Sequence, residues 1–186
     1  MSSSGEGRGG GRDMVTLADG DNSVIKVVCK ETKSEAASLS VKISAIDEDA
    51  LAKMVGVVAR MYPNHNCIIE RNNHGHTVIA FVKHDPYVNL YRQEDVDSIT
   101  GKTTEPLGWN TDQKSNVYAI DTLKKDLKSG ACIPRAYSTY GELRVFVHGE
   151  RGKMGALKGH HDDEVIALSL ANIAGHQGGM DEIVFV

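Results

Sequence analysis

Residues 159–174, GHHDDEVIALSLANIA, decide how the rest of the chain is read, because two histidines and three consecutive acids run straight into an apolar segment. From Asp162 onward Ile166, Leu170 and Ile173 recur at spacings of four and three, flanked by Val165 and Leu168. That period predicts an amphipathic helix with one buried face and a strongly negative first turn. Acids at a helix start also offset the macrodipole and cap free N–H groups, worth about 0.5–2 kcal/mol for a good cap, so they do not by themselves make a site. A further acid lies far upstream: Glu70 closes the short apolar run Cys67-Ile68-Ile69. Carboxylates on two separate elements of one small α/β domain point to a metal-ion site.

The 186 residues, 40% hydrophobic and 25% charged, fit one soluble globular domain with a real core. A net charge of −4 argues against binding nucleic acid through overall charge, so any such contact must use a local basic patch. Cys29, Cys67 and Cys132 are widely spaced, with no C-x-x-C pair, which predicts reduced thiols in a cytosolic setting rather than a structural zinc site. No run approaches the roughly 18 apolar residues of a membrane span, and the N-terminus lacks the apolar run of a signal peptide.

In chain order, residues 1–12 are glycine and serine punctuation and read as a leader or loop. Residues 23–29 (SVIKVVC) and 37–43 (ASLSVKI) predict an antiparallel strand pair, and residues 47–61 a helix with Leu51, Val55 and Val58 on its buried face. Residues 66–70 (NCIIE) are a buried strand with Glu70 at its exit, followed by a polar turn at 71–75, a helix over 77–82 and a strand over 88–91. The polar stretch 92–106 is a surface excursion. Caps at 110–112 open a helix that ends at Gly130, with lysines in its last turns as dipole partners. A helix over 138–146 and a hairpin over 147–158 lead back to the acidic segment.

Three strings now stand in order: IIERNNHGH at 68–76, LGWNT at 107–111 with Lys114 after it, and GHHDD at 159–163. Together they resemble the C-terminal nuclease domain of the tailed-bacteriophage terminase large subunit, over roughly residues 22–175. The resemblance implies an RNase H-like fold, a mixed sheet flanked by helices, with residues 1–21 a leader or remnant of the first strand and 176–186 a tail. It implies a metal-dependent endonuclease that cuts concatemeric DNA during genome packaging in the cytoplasm of a bacterial host. Its partners would be double-stranded DNA, the small terminase subunit and the portal, with no membrane. The tryptophan string argues against a Holliday-junction resolvase of the same fold.

The family carries an acid on its first strand, one at the end of a central strand and one on a late helix. Carried over, the second is Glu70 and the third falls in Asp162-Asp163. For the first, Gly20-Asp21-Asn22-Ser23 matches the usual entry to the second strand, but nothing apolar precedes the glycine-rich turn at 5–9. The first strand and its aspartate are therefore expected to be missing upstream of Met1, with Asp13 the best substitute and Asp19 a lesser one. The alternative function follows: a truncated, non-catalytic fragment that binds DNA or packaging partners.

Two divalent ions about 3.5–4 Å apart can activate a water and stabilise the leaving oxygen of a phosphodiester. Mg²⁺ and Mn²⁺ prefer oxygen ligands, which is why the candidate set is Glu70, Asp162, Asp163 and Asp13 rather than cysteines. His160 and His161 stand as ligand, proton carrier or plain surface residues. Asn72, Asn73 and His74 either steady Glu70, touch the DNA backbone or form an ordinary turn. Arg144, Arg151, Lys153 and Lys158 are candidate phosphate contacts or a solvated face.

Overall fold

The computed structural model describes residues 22–71, 73–96, 100–148, 154–176 and 182–185. Its main sheet has four strands in the order β2-β1-β8-β3. Strand β1 (Asn22–Cys29) and β2 (Ser34–Lys42) form the expected antiparallel pair, with a register shift between Val27 and Val28 and Lys33 at φ 57 in the turn. Val24 to Val28 are all buried, so β1 is covered on both faces. Strand β8 (Glu182–Phe185) runs antiparallel to β1 and parallel to β3 (Cys67–Ile68), joining the hairpin to the rest of the sheet. Within 176–186, read from the sequence as a tail, a strand thus sits between β1 and β3. The chain is a mixed α/β structure, with small additional pairs β4 (Asp95–Val96) with β5 (Thr103–Thr104) and β6 (Phe146–His148) with β7 (Met154–Ala156). The last pair is the hairpin expected over 147–158.

Helix α1 (Glu48–Met61) starts where Asp47 accepts the Ala50 N–H at 2.8 Å, and buries Leu51, Ala52, Val55 and Ala59 at helical spacing. Helix α3 (Gln113–Ser129) opens on a reciprocal capping box between Asp112 and Ser115 and closes on Gly130 at φ 73, both as the caps in the sequence predict. Helix α4 (Tyr137–Val145) follows.

Three further expectations change. Helix α2 (Asn73–Val82) begins inside the stretch read as a polar turn, so His74 and Gly75 belong to its first turn. Residues 88–91 make a bridge at Leu90 beside Cys67 rather than a strand. Helix α5 (Asp163–His176) is buried nearly all round, from Glu164 through Ala174 with Ile166 half-buried, instead of along one face. The cause is its position: α5 packs against β1, β8 and β3 and also against α3 and α4, and a helix with neighbours on every side has no polar stripe to show. Its alanines, Ala167, Ala171 and Ala174, let those elements approach closely.

Candidate functional site

The backbone around Glu70 is held on both sides by Trp109. The Trp109 N–H donates to Ile69 O at 2.8 Å and the Arg71 N–H to Trp109 O at 2.7 Å, so Glu70 and Trp109 run side by side. Gly108 makes that approach possible. It sits at φ 81, and a Cβ there would lie 2.6 Å from Ile69 O and 2.7 Å from Ile79 Cδ1. Trp109 itself is 4% exposed, with its ring 6.2 Å from that of Tyr91. The Gly-Trp string is thus the clamp that holds the exit of β3.

The start of α5 answers whether its acids are merely caps. The N–H groups of Glu164 and Val165 donate to Glu142 Oε2 on α4, at 2.8 and 3.2 Å. A carboxylate from another helix therefore does the capping, and Asp162 and Asp163 reach elsewhere. Asp162 Oδ2 accepts the Ala156 N–H at 3.2 Å, tying the β6–β7 hairpin to the helix. Asp163 Oδ2 accepts the Asn22 N–H at 2.9 Å and its side-chain amide at 3.3 Å, tying the helix to the first described residue of β1. Burial pushes the Glu142 carboxyl up; the two backbone N–H groups pull it down, Asp163 and Glu164 push it up again, and the outcome is raised.

These acids share one cavity of about 490 Å³, whose walls include Glu70, His74, Asn22, Asn116, Asp162 and Asp163. Residues from the end of β3 and the start of α5, far apart in the chain, thus meet the beginnings of α2 and α3. Their donors are carboxylate oxygens, the chemistry Mg²⁺ and Mn²⁺ favour. Yet among the described residues no three of His, Cys, Asp and Glu group closely enough to hold a metal ion. Asp13 and Asp19, the candidates for the first acid, lie outside the described residues, as do Asn72, Arg151 and Lys153. The donors fit in kind, then, and the described ones do not close on a common point.

Of the remaining candidates, His161 is half-buried with Nδ1 3.9 Å from Asp163 Oδ2, whereas His160 is exposed. Arg144 and Lys158 are exposed at the two ends of the β6–β7 hairpin.

Joined to the first turn of α5 through Glu164 is a group that sequence reasoning missed. Lys26, in the middle of β1, is 0% exposed. Its ammonium donates to Glu35 at 2.6 Å, Thr139 at 2.6 Å and Ser38 at 2.7 Å, and it is ion-paired with Glu164. Burial would raise the Glu35 carboxyl, but Lys26 and the N–H groups of Ala136 and Arg135 hold it below the usual range. The signal available was a lysine inside an apolar run, SVIKVVC, where one cation must find buried partners. A second missed contact joins His74 Nδ1 to Glu48 Oε1 at 2.6 Å.

Compared with known proteins, the chain matches no family model and no curated sequence. No described helix is long and apolar enough to cross a membrane.

Proposed function

We propose that this chain is an RNase H-like nuclease domain of the phage terminase type, a metal-dependent endonuclease acting on concatemeric double-stranded DNA during genome packaging. What supports the reading is a single juxtaposition: Glu70 at the exit of a central strand and Asp162-Asp163 at the start of a late helix line one cavity. Mg²⁺ or Mn²⁺ held by such carboxylates would supply an activated water and stabilise the leaving oxygen. The chain's own residues do the positioning. Glu142 and Lys26 fix the first turn of α5, the Gly108-Trp109 clamp fixes Glu70, and the exposed Arg144 and Lys158 are available to DNA phosphates without reading sequence. Docking to a small terminase subunit and a portal belongs to the same proposal.

The second reading is a non-catalytic fragment that binds DNA or packaging partners. Plasmid cutting separates the two. The endonuclease cuts in Mn²⁺ or Mg²⁺, stops with chelator, works poorly in Zn²⁺ and loses activity in Glu70→Ala while its circular dichroism is unchanged. Chelator-resistant cutting, or wild-type cutting by Glu70→Ala, would overturn the site. DNA retention without cutting in any metal selects the fragment reading.

A further inference from the structure

Among the described residues lining the cavity, the ionisable side chains other than His74 are the acids Glu70, Asp162 and Asp163. No lysine or arginine is among those lining residues. Carboxylates can hold a cation, but hydrolysis of a phosphodiester also needs a proton at the oxygen that leaves. Imidazole is the side chain suited to deliver one near neutral pH.

Resting on the nuclease reading above, we propose that His74 is a further catalytic residue, the proton donor to the leaving 3′ oxygen of DNA, and that Glu48 is its positioning partner. His74 stands in the first turn of α2 and Glu48 in the first turn of α1, and the two helices pack together. The ring Nδ1 lies 2.6 Å from Glu48 Oε1. An ionised carboxylate only accepts, so Nδ1–H is the donor of that bond and Nε2 is the nitrogen left for substrate. The bond to His74 is the leading cause holding Glu48 below the usual carboxylate range, which keeps it an acceptor. The His74 side chain is 54% exposed, so a DNA strand entering the cavity can reach it. The charged group in contact with it is Glu48 from α1, and the other charged walls of the same cavity are Glu70 from the exit of β3 and Asp162 and Asp163 from the start of α5.

Water oxygen bonds to phosphorus while the P–O3′ bond breaks and its electron pair stays on O3′. That oxygen takes the Nε2 proton, leaving neutral imidazole and a free 3′ hydroxyl. The proton shed by the attacking water passes to solvent, and solvent reprotonates Nε2.

The test compares a DNA oligonucleotide with the same sequence carrying a 3′-bridging sulfur, whose thiolate leaves without needing a proton. In Mn²⁺, His74→Gln should lose kcat about a hundredfold or more on the oxygen ester, the usual size of a proton-transfer contribution, with DNA affinity unchanged. On the sulfur ester it should stay within a few-fold of wild type. Glu48→Gln should lie between. Glu70→Ala should lose both substrates, and this separates failure of the nuclease reading from failure of the His74 role. Equal loss of both substrates in His74→Gln, or no loss at all, overturns the proton-donor role. A wild-type chain that cuts neither substrate overturns both readings. A readout independent of activity is imidazole ¹⁵N NMR of the protein without added metal. Nδ1 should remain protonated in both charge states and lose that preference in Glu48→Ala, which removes the acceptor, whereas a neutral ring protonated at Nε2 refutes the assignment.

Discussion

Replacing Lys26 by methionine tests whether the buried network at the start of α5 holds the fold. The substitution keeps the length and apolar stem of the side chain and removes only the cation. In the wild type that cation meets Glu35 and Glu164, whose side chains are 2% and 3% exposed. Breaking a buried ion pair by removing one partner costs about 3–5 kcal/mol, because a buried charge is left uncompensated. Here two carboxylates lose the same cation. Glu35 keeps the N–H groups of Arg135 and Ala136, at 2.6 and 2.7 Å, whereas Glu164 keeps the longer hydroxyl contacts of Thr139 and Ser38, at 3.1 and 3.4 Å, so Glu164 bears the larger share of the loss. A single penalty of about 4 kcal/mol is therefore the expectation, against a total stability of about 5–15 kcal/mol for a domain. In urea, with an m-value of about 2 kcal/mol/M, the midpoint should fall by about 2 M. The gap to wild type should narrow in acid. Lys26 helps hold Glu35 below its unfolded value, so this part of the stability is present above about pH 4.5 and is lost as pH falls through the folded value. Adding Glu164→Gln to the variant should restore part of the loss. A midpoint shift below about 0.5 M at pH 7 would refute the reasoning, since it would mean the pair contributes no more than an exposed one.

Gly108→Ala should destabilise by at least the roughly 1–2 kcal/mol of a left-handed residue with a Cβ, and more because that carbon would press on Ile69 O and Ile79 Cδ1; a thermal midpoint equal to wild type refutes the clamp. Asp126→Ala should cost about 1–3 kcal/mol by stranding the buried Asn172 amide, which donates to Asp126 Oδ2 at 2.8 Å. Burial pushes the Asp126 carboxyl up, but Asn172 and His176 outweigh it and hold it low. Its contribution is therefore present above about pH 4 and fades as pH falls through the folded value, so the variant's deficit by differential scanning calorimetry should shrink below pH 4.

Much of the fold is legible where a local signal and its tertiary context agree. Asp112 and Gly130 mark both ends of α3 because capping is chemistry of a few neighbouring residues, and the same holds for Asp47 at α1. The start of α2 is missed because Asn73, His74 and Gly75 carry turn propensity, and nothing local says that they begin a helix. In α5 the apolar period is real, but burial on every side depends on what α3, α4 and the sheet do, and no window of α5 contains that. Lys26 is the sharpest case. A lysine inside an apolar run calls for buried partners, but only the fold says that they are Glu35, Thr139 and Glu164. At the site, Glu70 and the acid pair are visible as residues; their meeting in one cavity is a property of the sheet order. The Glu48–His74 contact joins two helices whose patterns, read separately, give no reason to pair them.

The position of β8 bears on how the chain reaches this structure. Every other described element precedes it in sequence, yet β8 lies between β1 and β3 and bonds to both. On a ribosome, the β1–β2 hairpin emerges early and waits with one row of β1 backbone donors and acceptors uncovered. The sheet closes only when residues 182–185 arrive. Closing so distant a contact is slow by comparison with helix packing, and the uncovered edge is a template for strands of other chains in the interval. Holding that edge until synthesis has passed β8 is work for a chaperone that recognises extended backbone, and slowing translation between β3 and β8 should raise the yield of aggregated chain.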